Sequence, residues 1–130
     1  MADANKKWLE TPYIFFEDYN GVLIATYKPN ILITLKHAKE IVEYRIAFME
    51  GKKMPILILN QGIIKMDKDA RDYLASAKGI VGLKCGAILM DSNFISFTVN
   101  FFLKVTKPKL LVKTFTDKKE ALTWLLGFTE

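Results

Sequence analysis

Cysteine and histidine are almost missing from this sequence, and long hydrophobic runs are missing altogether. Cys85 is the single cysteine and His37 the single histidine among 130 residues, which excludes an intrachain disulfide and a metal cage built from several cysteines. The apolar stretches are far shorter than the roughly 20 residues that span a membrane, and the first residues lack the apolar core of a secretion signal. We therefore expect a cytoplasmic protein without a membrane span.

Sequence motifs for catalysis and for cofactor binding are also missing. There is no Gly-x-Ser-x-Gly elbow, and the segment Gly79–Gly82 lacks the lysine and the hydroxyl residue of a phosphate-binding loop. Cys85 lies inside an apolar run, where a thiol is usually inert, and His37 belongs to a different element. We therefore expect no enzyme activity, no cofactor and no metal ion.

Positive charge is in excess but is not concentrated in one segment. The net charge is +5, and the 19 basic residues are spread along the chain. They do not alternate with aromatic residues, as they do on many RNA-binding surfaces. The pattern predicts a mildly basic, solvated surface and no nucleic-acid partner.

What the sequence does contain is a regular alternation of apolar runs and helical patterns. Asn20-Gly21 predicts a β-hairpin over residues 13–27, because both residues tolerate the positive φ angles of a tight turn. Three further strands are predicted, at 54–59, 85–90 and 110–115. Four helices are predicted, at 35–49, 67–77, 94–104 and after Asp117.

This order, β-β-α-β-α-β-α-β-α, predicts a single α/β domain over residues 13–130. Strands separated by helices imply crossover connections, so we expect a mixed, largely parallel five-stranded sheet that starts with the hairpin. Residues 1–12 are expected to form a loose lead-in. The first helix, with Thr34 as its N-cap, is expected to bury one apolar stripe. That stripe consists of Leu35, Ala38, Ile41, Val42, Ile46 and Met49.

Functional side chains in open α/β sheets gather where a strand ends and a helix begins. Here the apolar run Ile56–Leu59 leads into polar residues, and a helix starts shortly afterwards. Helix capping and surface charge explain the carboxylates at this helix start, and the pattern of a calcium loop is absent. We therefore interpret the segment as a candidate interaction surface. Its residues are Asn60, Gln61, Asp67, Lys68 and Asp69.

The predicted helix at 94–104 is richer in phenylalanine than one buried stripe requires. Its aromatic residues are Phe94, Phe97, Phe101 and Phe102, and they cannot all face the sheet along one narrow line. A surplus aromatic edge is typical of a subunit interface or of the wall of an apolar-ligand site. We add Phe94, Phe97 and Phe101 to the candidate interaction surface.

Several stretches carry a resemblance to a known fold. They are Thr34–Val42, Ala70–Ser76, Asn100–Lys104, and Lys107–Lys109 with Phe115–Asp117. Together with the order of elements, they resemble the STAS class, which includes the anti-sigma-factor antagonists. More closely, the chain resembles small bacterial proteins of unknown function, common in Bacteroidetes, with a STAS/SEC14-like fold over residues 13–126.

This resemblance implies a non-enzymatic regulatory or protein–protein interaction domain, which forms a homodimer and contacts an unknown protein partner. The resemblance to the SEC14-like fold leaves a second interpretation open, a protein that binds a small apolar ligand or a lipid. STAS regulators carry a phosphorylatable serine in an Asp-Ser-Ser-Gly-like motif at the helix start. In this chain Asp67 stands at the Asp, Lys68 and Asp69 at the two serines, and Ala70 at the glycine. The resemblance therefore implies the position of the switch without its acceptor hydroxyl.

Overall fold

The computed structural model describes residues 7–61, 64–90 and 110–129, which contain eight strands and three helices. The strands are β1 (Trp8–Glu10), β2 (Ile14–Tyr19), β3 (Val22–Tyr27), β4 (Ile31–Ile33), β5 (Met54–Asn60), β6 (Ile64–Met66), β7 (Leu83–Leu89) and β8 (Val112–Phe115). The helices are α1 (Leu35–Met49), α2 (Lys68–Leu74) and α3 (Lys118–Leu126). The predicted helix at 94–104 lies outside the described residues. None of the helices within them has both the length and the apolar character needed to cross a membrane.

Six strands form one sheet in the order β1-β2-β3-β5-β7-β8, and β4 pairs with β6 in a separate two-stranded sheet. β1, β2 and β3 are antiparallel to one another, whereas β3, β5, β7 and β8 run parallel. The hairpin turn places Asn20 at φ 50° and Gly21 at φ 93°, and Asp18 Oδ1 accepts a hydrogen bond from Gly21 N at 3.0 Å. The prediction of a mixed, largely parallel sheet that starts with a hairpin is confirmed.

The main sheet has six strands, one more than predicted. Trp8–Glu10, expected in a loose lead-in, pairs with β2 as an antiparallel edge strand, and Asp18 N donates to Lys7 O at 3.0 Å. Three residues are too few to show a period of two, which is why the sequence did not predict β1. The same holds for β4 and β6, which also have three residues each.

The central strand β5 is covered on both faces. Met54 and Ile56 belong to one buried cluster, together with residues of α1 and α2. Leu57 points the other way and belongs to a second cluster, together with Ala121 and Leu125 of α3. The uninterrupted aliphatic run of β5 is thus explained, because alternate side chains enter two different cores.

Helix α1 begins and ends where the sequence predicts. Thr34 Oγ1 accepts a hydrogen bond from His37 N at 3.4 Å, and the helix stops at Glu50, whose φ is 52°. Its buried stripe differs from the prediction, because Ile46 is 43% exposed and Arg45 is only 3% exposed. The buried stripe follows regular helical spacing. The sequence did not predict Arg45 as part of it, because a charged side chain is usually exposed. The buried residues are Ala38, Ile41, Val42, Arg45, Phe48 and Met49.

Arg45 ties α1 to the turn that follows α2. Its guanidinium donates to Val81 O at 2.7 Å and to Gly79 O at 3.0 Å. Burial lowers the pKa of Arg45 to about 10, which leaves the side chain charged at neutral pH. The two carbonyl groups therefore receive charge-assisted hydrogen bonds from a side chain that is almost fully buried.

Replacing Arg45 with alanine is expected to lower the free energy of unfolding by about 2–4 kcal/mol, because two carbonyl groups lose their donor and a cavity opens. Urea unfolding measures this change. Lys36→Ala, at an exposed position of the same helix, is the control and should stay within about 0.5 kcal/mol of the parent protein. Equal unfolding midpoints for the two variants would contradict the assigned role of Arg45.

Candidate functional site

The carboxyl ends of β3 and β5 lead into the two-stranded sheet and then into the starts of α1 and α2. Gln61 N donates to Tyr27 O at 3.2 Å, which extends the pairing of β5 with β3 by one residue. Asp67 N donates to Ile33 O at 3.1 Å at the end of the β4–β6 pair. The fold thereby brings Gln61 and the first turn of α2 to the same edge of the domain.

Asp67 has a structural role at this edge. Its Oδ1 accepts a hydrogen bond from Ala70 N at 2.8 Å, so it is the N-cap of α2. Lys68 forms an ion pair with Asp72 at 2.8 Å, and this hydrogen bond raises the pKa of Lys68. Asp69 is exposed in the first turn. Because α2 has only seven residues and its carboxylates serve as cap and surface charge, we assign no ligand site to its start.

The remaining predicted site residues fall into two groups. Asn60 is half-buried at the end of β5, and Gln61 is exposed immediately after it. Phe94, Phe97 and Phe101 lie outside the described residues.

Gln61 borders a surface that sequence reasoning missed, the open sheet face. Among the described helices, α3 packs mainly over β3, β5, β7 and β8, and Trp8 on the outward side of β1 is exposed. A shallow depression of about 380 Å³ occupies this region. The open sheet face consists of Trp8 and the residues that line the depression, which are Glu10, Phe15, Glu17, Thr26, Lys28 and Gln61.

An aromatic pair forms the apolar part of the open sheet face. Trp8 is 61% exposed, and its ring stacks on that of Phe15 with 5.8 Å between the centroids. Beside this pair, Lys28 and Glu10 form an ion pair at 2.8 Å. One signal in the sequence could have revealed the face: in β2, outward Phe15 and Glu17 alternate with buried Ile14 and Phe16.

The side chains of Cys85 and His37 have structural roles. The Cys85 side chain is buried in β7, and burial raises the pKa of its thiol, which disfavours the reactive thiolate. His37 Nδ1 lies 3.0 Å from Leu32 O, and its ring packs on Tyr13 at 4.7 Å. Within the parts of the chain that the structure describes, no three His, Cys, Asp or Glu side chains are grouped so as to hold a metal ion.

Residues 15–129 match a domain of unknown function, DUF7793. The chain belongs to the DUF7793 family. Among proteins of curated function, none matches this sequence significantly. One similar solved structure is that of an uncharacterised protein of the DUF3478 family from Shewanella loihica PV-4, which has a SpoIIAA-like fold. It superposes with a TM-score of 0.56 and 17% identity, and the match covers 93% of this chain and 92% of that one. The DUF7793 domain therefore has the predicted STAS-like fold.

Two neighbouring carboxylates at the start of α2 have different structural roles. Asp67→Ala removes the N-cap and is expected to lower the free energy of unfolding of the DUF7793 domain by about 1 kcal/mol. Asp69→Ala removes only an exposed charge near the helix start, so a loss below about 0.5 kcal/mol is expected. Thermal or urea unfolding of both variants makes the comparison. An equal loss in the two variants would show that Asp67 is not the cap.

Proposed function

We propose that the DUF7793 domain is a non-enzymatic regulatory or protein–protein interaction domain, and that it contacts its partner through the open sheet face. One observation carries the proposal, the exposed Trp8 held on Phe15 at the outward side of β1 and β2. Tryptophan contributes strongly to protein interfaces when a partner removes it from water. The predicted site residue Gln61 borders the same face.

The energetic argument rests on the apolar area that Trp8 leaves in water. The residue is 61% exposed, although an aromatic side chain can bury 150–250 Å² (a general range). At about 25 cal/mol per Å², covering the remaining surface is worth on the order of 3 kcal/mol. The stack on Phe15 already restricts the rotation of the Trp8 side chain. Binding of a partner there therefore costs little additional side-chain entropy.

The open sheet face also has the charge pattern of a self-complementary surface. It carries Glu10 and Glu17 together with Lys28 around the aromatic pair. In a two-fold symmetric dimer each patch meets its own copy, so the two Trp8–Phe15 pairs can pack on each other beside the Lys28–Glu10 ion pair of each copy. We therefore propose a homodimer as the first assembly through this face, in addition to an unknown protein partner.

The proposed interaction does not depend on phosphorylation at the STAS position. Lys68 and Asp69 stand where the resemblance places the two serines, and Lys68 is engaged with Asp72. Asp69 supplies a fixed negative charge, but a carboxylate carries less charge and fewer acceptor oxygens than a phosphate. The proposed interaction is therefore constitutive at this position.

The alternative, a binder of small apolar ligands or lipids, predicts a different behaviour in solution. Such sites are concave and mostly enclosed by apolar side chains. Of the depressions described, the one on the open sheet face is lined by Glu10, Glu17 and Lys28 among others, which suits a polar protein surface better.

Trp8→Ala is the variant that tests the proposal. Sedimentation velocity and native mass spectrometry of the parent protein should show a dimer at concentrations up to about 100 μM, and Trp8→Ala should raise its dissociation constant at least about tenfold. The matched control is Leu32→Ala, which removes another apolar side chain with 54% exposure and should leave the dimer intact.

A parent protein that stays monomeric over this range would refute the homodimer. Equal weakening by Leu32→Ala would show that the open sheet face is not the interface. A monomer that carries a co-purified lipid mass would favour the apolar-ligand alternative.

A further inference from the structure

Lys7 immediately precedes β1 and joins that strand to the carboxyl end of α1. Its Nζ donates a hydrogen bond to Glu50 Oε1 at 2.9 Å and another to Phe48 O. The same ammonium group lies over the Phe48 ring, 4.7 Å from its centroid. We call these three contacts the Lys7 clasp.

The end of α1 is a favourable place for a cation. The last carbonyl groups of a helix have no partner within the helix and carry partial negative charge, and α1 has no basic residue in its own last turn. Glu50 adds a full negative charge, and the hydrogen bond from Lys7 lowers the pKa of the Glu50 carboxyl. Lys7 therefore supplies a positive charge to this helix end, although Phe48 lies 41 positions away along the chain.

The groups that Lys7 contacts are themselves held in place. Phe48 is 5% exposed, and its ring stacks on that of Phe16 in β2 with 5.9 Å between the centroids. The backbone of Lys7 is fixed as well, because Asp18 N donates to Lys7 O at 3.0 Å. Lys7 thus connects the sheet to α1 through both its backbone and its side chain.

The two faces of β1 contact different parts of the domain. Successive side chains of a strand point to opposite sides. Lys7 reaches Phe48 on one side, and Leu9 packs against the buried cluster that contains Phe48. Trp8 lies between them and points to the other side, where its ring stacks on Phe15. Contacts that fix Lys7 and Leu9 therefore fix the orientation of Trp8, because a slip of one residue would exchange the two faces.

We propose that Lys7 is a positioning residue for the open sheet face, because the Lys7 clasp holds β1 on β2 and thereby presents Trp8 to the partner. β1 has only three residues, and segments with so few backbone hydrogen bonds open locally at low cost. A partner that needs β1 in place binds with an affinity reduced by the fraction of molecules in which the strand is ordered. The role of Trp8 rests on the proposed interaction function, whereas the order of β1 can be measured in the monomer.

Lys7→Gln tests the clasp, because it removes the ammonium group and keeps a polar side chain. Deuterium exchange of the monomer, at low protein concentration, should be at least about threefold faster in the amides of β1 and unchanged in β5 and β7. Lys7→Arg keeps the charge and can donate to the same acceptors, so it should stay within about twofold of the parent protein. The matched control is Lys36→Gln, which removes the same charge at an exposed position of α1 and should exchange as the parent does.

The dissociation constant of the dimer is the second readout. Lys7→Gln should raise it by about threefold or more, but by less than Trp8→Ala does, because Trp8 is still presented by the molecules in which β1 is ordered. Lys7→Arg should restore the parent value. Glu50→Gln weakens only one of the three contacts, so its effects should have the same direction and a smaller size. It also tests the clasp if Lys7→Gln does not fold.

Equal exchange of β1 in Lys7→Gln and Lys36→Gln, or no protection of β1 in the parent protein, would overturn the proposal. Faster exchange that extends equally to β5 and β7 would show that Lys7 stabilises the whole domain, and it would overturn the proposal as well. Faster exchange of β1 with an unchanged dimer would refute the positioning role. A parent protein that stays monomeric would refute the homodimer and that role together, whereas the exchange comparison would still decide whether the clasp orders β1.

Discussion

Burial of β5 on both faces is the constraint on which the rest of the structure depends. The strand is nearly all aliphatic, and each fully buried aliphatic side chain contributes roughly 1.5–3 kcal/mol. Ile56 is covered by the layer of α1 and α2, whereas Leu57 is covered by α3. Parallel neighbours on both sides, β3 and β7, satisfy its backbone. Helices on both faces of the sheet are therefore needed to bury this one central strand.

Among the described elements, the two faces of the sheet are packed differently. α1 and α2 share one buried cluster with β2, β3 and β5, whereas α3 packs mainly over β3, β5, β7 and β8. At the antiparallel edge of the sheet, Trp8 rests on Phe15 and stays exposed. The aromatic part of the open sheet face therefore lies at this edge of the described domain.

Much of the fold follows from local signals in the sequence. Thr34 predicts the start of α1, Asn20-Gly21 the hairpin, and Asp117 the start of α3, because each effect acts within a few residues. The short strands β1, β4 and β6 could not be predicted, because tertiary pairing rather than local pattern stabilises three residues. Arg45 was missed for a similar reason, since its acceptors lie 34 and 36 positions along the chain.

The candidate site was predicted less completely than the fold. The sequence placed Asn60 and Gln61 at a strand end and Asp67 at a helix start, and the structure has them there, but the cap role of Asp67 accounts for its carboxylate. The open sheet face depends on which strand lies at the edge, and strand order is a property of the whole chain. Trp8 shows this, because its exposure follows from the pairing of β1 with β2 and not from its neighbours in sequence.

The central claim is that the DUF7793 domain associates through the open sheet face. Deuterium exchange at low and high protein concentration tests this claim most directly. The account predicts that exchange slows with concentration in β1 and β2, while β8 at the other edge of the sheet is unchanged. Exchange that is independent of concentration throughout, or protection that appears at β8 instead, would contradict it.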